Sequence, residues 1–153
     1  MNGPLVSSAT YEDFLRKFSG FQLQHLNQEL CRLAGELHLR SGSSERLVLD
    51  IDSTGHEQHG VKMEGLAYNY KNEWSLSSIE VFDQKGFLHY LNVREGNAFT
   101  SEDAPFIISE VSRHLPRELR RERPLLRADS GYCNNPVFQA CEQNGFGFLI
   151  AMR

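Results

Sequence analysis

A chain of 153 residues, 40% of them hydrophobic and 24% charged, has the size of one globular domain and a composition unlike disordered, collagen-like or disulfide-framework proteins. With 16 basic against 20 acidic side chains and a net charge of −4, it is not a general polyanion binder, so any nucleic-acid contact must come from a local basic patch. No apolar run approaches the ~20 residues that span a bilayer. The start, Met1 to Leu5, lacks a basic stretch followed by an apolar one. A cytoplasmic setting with no membrane partner is therefore expected. Cys31, Cys133 and Cys141 form no Cys-x-x-Cys pair, which argues against a disulfide framework and a zinc site of the usual spacing.

Residues 1–44 read as a helical segment. Thr10 can cap a first helix with Phe14, Leu15 and Phe18 on one face, and Ser19-Gly20 interrupts it. Leu23, Leu26, Leu30, Leu33 and Leu37 recur at steps of three and four along a second helix. That row is read as core or as a partner-packing face. Ser41 to Ser44 is a flexible break. Leu47 to Asp52 predicts a strand, and residues 65–70 an extended stretch. Residues 76–83 and 87–93 predict a hairpin around Gln84-Lys85-Gly86. A helix is expected from Thr100 or Ser101, with Glu102 and Asp103 in its first turn, ended or kinked by Pro116. Residues 124–129 predict a strand. A helix capped by Asn134 or Asn135, with Pro136 at its start, follows to about Gln143. Asn144-Gly145 stops it, and residues 146–152 predict a last strand. An antiparallel hairpin followed by alternating helix and strand implies an α/β fold, a mixed sheet with helices on its faces.

Three carboxylates stand out in this frame. Asp50 and Asp52 share one strand face with Val48, opposite Leu47, Leu49 and Ile51. A lone carboxylate is costly to bury, so each must meet a cation or lie exposed. Asp129 ends a second apolar run. Ser53-Thr54-Gly55 and Ser130-Gly131 follow as small polar turns. Strand-end carboxylates from separate segments suit a hard cation such as Mg²⁺, and two such ions can activate a water and stabilise a leaving oxygen at a phosphodiester. Asp is also common at strand ends as a turn former or helix cap, and spacing alone leaves both readings open.

Four blocks together carry a resemblance. Leu49-Asp-Ile-Asp-Ser-Thr54, Gly60 to Tyr70, Arg94-Glu-Gly-Asn97 and Arg127-Ala-Asp-Ser-Gly-Tyr132 resemble, in order and approximate spacing, the catalytic domain of bacterial insertion-sequence transposases of the DDE class. The resemblance covers residues 45–153 and implies an RNase H-like fold: three antiparallel strands, then helix, strand, helix, strand. It implies Asp52, in Asp-x-Thr, as the first catalytic acid, with Asp50 as a fallback ligand, and Asp129 as the second, 77 residues on. It also implies two Mg²⁺ (or Mn²⁺) ions, transposon-end and target DNA as partners, a homo-oligomer and a nucleoid-associated location. The family's third acid is a Glu on a helix well beyond the fifth strand, whereas this sequence ends at Arg153, and Glu142 is only 13 residues past Asp129. The expectation is a fragment or truncated copy, inactive alone. One alternative is another RNase H-like nuclease completed by Glu110 or Glu102. Another is a non-catalytic remnant that binds DNA or the full-length enzyme.

Other candidates are weaker. His56 and His59 are three apart between glycines, whereas the helical zinc motif needs four, so a solvated loop is expected. Arg113, Arg117, Arg120, Arg121, Arg123 and Arg127 form a basic stretch. It reads either as a solvated helix end or as a phosphate contact, with Arg120, Arg121 and Arg127 as the DNA-binding candidates. Arg94 and Asn97 join them from the resemblance. Tyr68, Tyr70, Trp74 and Tyr132 can stack on unpaired bases or serve as ordinary sheet and core residues. Cys133 and Cys141 have no adjacent base and read as structural.

Overall fold

Alternation of apolar and polar residues builds the central strand. In β1 (Val48–Glu57), Leu49 and Ile51 point into the core with the preceding Leu47, all at most 2% exposed, while Asp52 stands in solvent. The structure, a computed structural model, describes residues 17, 19–42, 45–60 and 63–152. The helix expected around Phe14 and Phe18 lies outside them, as do Ser43, Ser44, Val61 and Lys62.

The other elements follow in chain order: helix α1 (Gly20–Arg40) before β1, then β2 (Ala67–Tyr68), β3 (Trp74–Asp83), β4 (Leu88–Glu95), α2 (Ala104–His114), α3 (Arg117–Arg121), β5 (Leu125–Ala128), α4 (Asn135–Gln143) and β6 (Gly147–Ile150). The sheet runs β4–β3–β1–β5–β6, with β2 beside β4 on the same edge of β3. Pairing is antiparallel from β4 to β1 and parallel from β1 to β6. This is the expected RNase H-like mixed sheet. Ile107, Ile108 and Val111 of α2 and Val137, Ala140 and Cys141 of α4 pack with Leu49, Ile51, Ile79, Val81 and Leu126 in one core.

Three expectations need correction. Ser53-Thr54-Gly55 is not a turn: β1 continues through Glu57, register-paired with β3 from Ile79 to Ser75. A long antiparallel partner satisfies the backbone whatever the side chains prefer. The first part of the expected loop around His56 is therefore strand, with His56 Nε2 2.6 Å from Ser78 Oγ. Next, α2 starts at Ala104, not at Thr100 or Ser101. Residues 100–103 form turns, Pro105 sits in the first helical turn, and Ser101 Oγ accepts from Asn134 Nδ2 at 2.8 Å instead of capping. Finally, of the two readings of the leucine row of α1, core or partner-packing face, the core one falls. Leu23, Leu26, Leu33 and Leu37 are 39–58% exposed, whereas Cys31, Ala34, Gly35 and His38 face inward. Small side chains there permit close approach: a Cβ on Gly35 would meet Pro116 Cδ at 2.3 Å.

Buried polar groups lock α1 to the hairpin. Asp83 accepts hydrogen bonds from the backbone N–H of Lys85 and Phe87, both at 2.9 Å, and from His38 Nδ1 at 2.7 Å, with His89 Nε2 3.4 Å away. Burial pushes the Asp83 carboxyl up, but the bonds from His89, Phe87, His38 and Lys85 outweigh it and hold it down at about 2, against 3.8 ordinarily. Its stabilisation is therefore complete above about pH 4 and lost as the pH falls toward 2. In urea titrations at pH 6 and pH 2.5, Asp83→Asn should be clearly less stable than the parent at pH 6, with the gap narrowing by about 2 kcal/mol at pH 2.5. An equal gap at both pH values contradicts this.

The thiol of Cys31 is pushed up to about 12, by burial and then by Glu110, and that of Cys141 to about 11, by burial and then by Glu142. Both are structural at neutral pH. Among the described residues no helix is long and apolar enough to cross a membrane.

Candidate functional site

Parallel pairing of β1 with β5 brings the two acids together. Asp50 lies opposite Arg127 and Ile51 opposite Ala128. One step further, β5 ends while β1 runs on, and Asp52 and Asp129 occupy that step. Neighbouring strands are ~4.8 Å apart, so the two carboxylates leave adjacent backbone positions on the same side of the sheet. Both are exposed and line one open cavity of about 470 Å³.

Their hydrogen bonds leave oxygens available. Asp52 Oδ1 accepts from the N–H of Ser53 at 2.7 Å. Asp129 Oδ1 accepts from the N–H of Gly131 at 2.8 Å and so caps the short 3₁₀ turn Ser130–Tyr132. Neither forms an ion pair among the described residues. Beneath them Tyr132 is fully buried. Burial raises its phenol well above the ordinary value, Ser53 eases the shift, and Asp52 adds to it; Arg94 and Asp129 act more weakly, in opposite senses. The Ser53 contact falls short of a well-formed hydrogen bond, so the Tyr132 hydroxyl is left without a partner. Two hard, unpaired carboxylates fit a divalent cation of the Mg²⁺ type. Among the described residues, however, no group of three His, Cys, Asp or Glu side chains is placed to hold a metal.

Asp50 differs from its neighbour. Arg127 grips it with Nε–Oδ1 at 2.5 Å and Nη2–Oδ2 at 2.7 Å. A carboxylate held bidentately by a guanidinium is a poorer metal ligand than a free one. Asp52 is thus the better placed of the two, and Arg127 is occupied at the sheet surface.

The remaining candidates separate. Arg94 is 8% exposed; Nη1 donates to Phe99 O at 3.2 Å and Nη2 to Ser77 Oγ at 3.1 Å, with Asp103 at 3.7 Å. The guanidinium braces the 96–103 loop that walls the cleft, so of its two expected roles, orienting the site or the substrate strand, its contacts fit the first. Asn97 is exposed on that loop, in a neighbouring cavity that also includes Asp129. Arg120 and Arg121 lie on α3, which feeds the N-terminal end of β5. Asp129 follows the other end, roughly 13 Å away along a four-residue strand, so the fold does not bring these arginines to the acids. Glu110 is buried at 4% exposure, ion-paired to Arg113 and 3.5 Å from Gln28 Nε2. Neither it nor Glu102 lines the cavity of Asp52, and Glu142 is exposed on α4.

Sequence reasoning missed Lys71, Glu57 and Glu73, which line the cavity with the acids. Their spacing carries no signal. The extension of β1 and the turn before β3 bring them there.

Residues 2–153 match the family model described as transposase DDE domain, group 1. No curated protein matches the chain. Among solved structures, it is similar in fold to the Mos1 mariner paired-end complex with Mn, at 14% identity and TM-score 0.48, over 94% of this chain and 51% of that one. The Mos1 transposase catalytic domain with Raltegravir and Mg gives 13% identity and TM-score 0.48, over 87% and 63%. The Mos1 strand transfer complex gives 13% and 0.45, over 96% and 50%. The chain thus spans between half and two thirds of the length of these relatives.

Proposed function

The chain belongs to the DDE transposase domain family, group 1, and from that premise we propose that it is the metal-binding part of a DNA transposase of the bacterial insertion-sequence type, acting in the cytoplasm on nucleoid DNA. The observation that carries this reading is that Asp52 and Asp129 each follow the last β1–β5 pair, Ile51 with Ala128, and line one cavity, each accepting only a backbone hydrogen bond. In the proposed reaction a water attacks a phosphodiester at the transposon end, releasing a 3′ hydroxyl. That hydroxyl then displaces a target phosphodiester in line. The bound Mg²⁺ or Mn²⁺ ions would supply charge stabilisation for both displacements. Asp52 and Asp129 would hold the cations; the Arg94 brace and the Asp129 cap fix the loops around them. The third ligand implied by the resemblance, a Glu beyond the last strand, is not among the described residues.

DNA as substrate is supported by family membership and by the chemistry of the two acids. Homo-oligomerisation is supported by the exposed leucine row of α1, whose alternating steps of three and four match a helix-packing seam. The test is strand scission of DNA by the whole protein with Mg²⁺ or Mn²⁺, followed by chelation. Scission should need the metal and stop with EDTA. Scission that persists in EDTA contradicts the reading.

A further inference from the structure

The turn from β2 into β3 holds an aromatic ring that the fold does not use. Asn69 builds this turn: its Oδ1 accepts from the N–H of Lys71 at 2.8 Å and of Glu73 at 3.1 Å, and its Nδ2 donates to Glu73 Oε2 at 3.2 Å. Backbone bonds join Asn69 and Glu73, and Asn72 adopts a left-handed φ of 60°, which Asn tolerates. Below the tip, Tyr68 and Trp74 pack with centroids 4.2 Å apart and their rings tilted by 37°. The tip is thus fixed from both sides. On it Tyr70 is 91% exposed, with Lys71 Nζ 5.7 Å from its ring centroid.

Position gives this ring its meaning. Tyr70 lines two cavities that contain Asp129, one of which contains Asp52. That cavity wall carries four carboxylates, Asp52, Glu57, Glu73 and Asp129, and one cation among the described residues, Lys71. Such a wall repels a phosphate strand until divalent cations neutralise it, so attraction between Tyr70 and the bases adds what charge does not. A ring can stack on a base only where that base has left its own stack, and stacking is tolerant of sequence.

We infer that Tyr70 is a stacking platform for an unpaired DNA base beside the reacting phosphodiester, with Lys71 on the adjacent phosphate. This rests on the transposase reading and adds a single-stranded subsite to it.

The probe is a DNA duplex with a short single-stranded overhang carrying 2-aminopurine, bound to the whole protein with Mg²⁺. Emission should be quenched by the parent and by Tyr70→Phe. Tyr70→Ala should bind about tenfold more weakly and quench little. Lys71→Ala should keep the quench at saturation and reduce the salt dependence of binding by about one counterion. Because Tyr70 is exposed, these variants should fold like the parent. Equal binding and quenching by Tyr70→Ala, or equal quenching of a fully paired probe, overturns the inference. Mn²⁺-induced broadening of amide NMR signals separates the two readings. If broadening centres on Asp52 and Asp129 but no Tyr70-dependent quench appears, only the stacking inference fails. If the quench depends on Tyr70 without such broadening, stacking stands and the metal-site reading fails.

Discussion

Asp52→Asn and Asp129→Asn should each lower metal-dependent DNA cleavage by the whole protein by about 10³-fold or more, and Asp50→Asn by far less. The size follows from the role. A cation at a transferring phosphodiester is worth several kcal/mol of transition-state stabilisation, and about 4 kcal/mol corresponds to 10³-fold. An amide has the shape of the carboxylate but not its charge, so the ligand weakens while the strand stays. Asp52 and Asp129 are both exposed and accept only backbone hydrogen bonds, so neither substitution should unfold the protein. Asp50 is already held by Arg127. Its substitution removes a partly exposed ion pair worth under about 1 kcal/mol. Equal losses in all three variants would mean that Asp50, not the in-register pair alone, holds the metal.

Gly96→Ala should destabilise the protein by about 3 kcal/mol, the upper end for forcing extra atoms into a packed site. A Cβ there would stand 2.0 Å from Ser75 O and 2.6 Å from Ala67 O. Both are backbone atoms of the β2–β3 pairing, and neither can rotate away. The Gly96 N–H also donates to Gly65 O at 3.1 Å, which ties the turn after β4 to the segment before β2. Because Gly96 lines the same cavity as Asp52 and Asp129, relief of the clash would move the Asn97–Thr100 wall as well. A loss of that size in a domain of this length should lower the melting temperature by roughly 10 °C. Gly60→Ala is the control, since nothing lies within 4 Å of its Cβ position, and it should be near neutral. A Gly96→Ala melting temperature within a degree of the parent contradicts the packing argument.

The legible parts of this chain were those where a local pattern and the tertiary environment agree. Leu47, Leu49 and Ile51 alternate with Asp50 and Asp52 because one face is core and the other is not, and the same alternation singles out Asp50 and Asp52 as candidates. The hairpin was readable from Gly86, which has a φ of +83°, and the last helix from Asn134 and Pro136. The parts that only the fold decides depend on distant partners. Ser53 to Glu57 has turn-like composition, yet β3 offers a full ladder of backbone bonds. The leucines of α1 have the stronger periodicity, but Cys31, Ala34, Gly35 and His38 let the helix sit close to the hairpin and to Pro116. Arg94 has the chemistry of a phosphate contact; only the fold reveals that the 96–103 loop encloses it. Lys71 and Tyr70 come to the wall of the acids' cavity through a turn whose geometry no spacing encodes.

In the proposed function Asp52 and Asp129 form one cation site. The most direct measurement is a Mn²⁺ titration followed by amide NMR, repeated on Asp52→Asn. Broadening should begin together at residues around Asp52 and Asp129, and both regions should lose it in the variant. Broadening scattered over other surface carboxylates, or persisting at Asp129 when Asp52 is replaced, would show that the two acids do not share an ion.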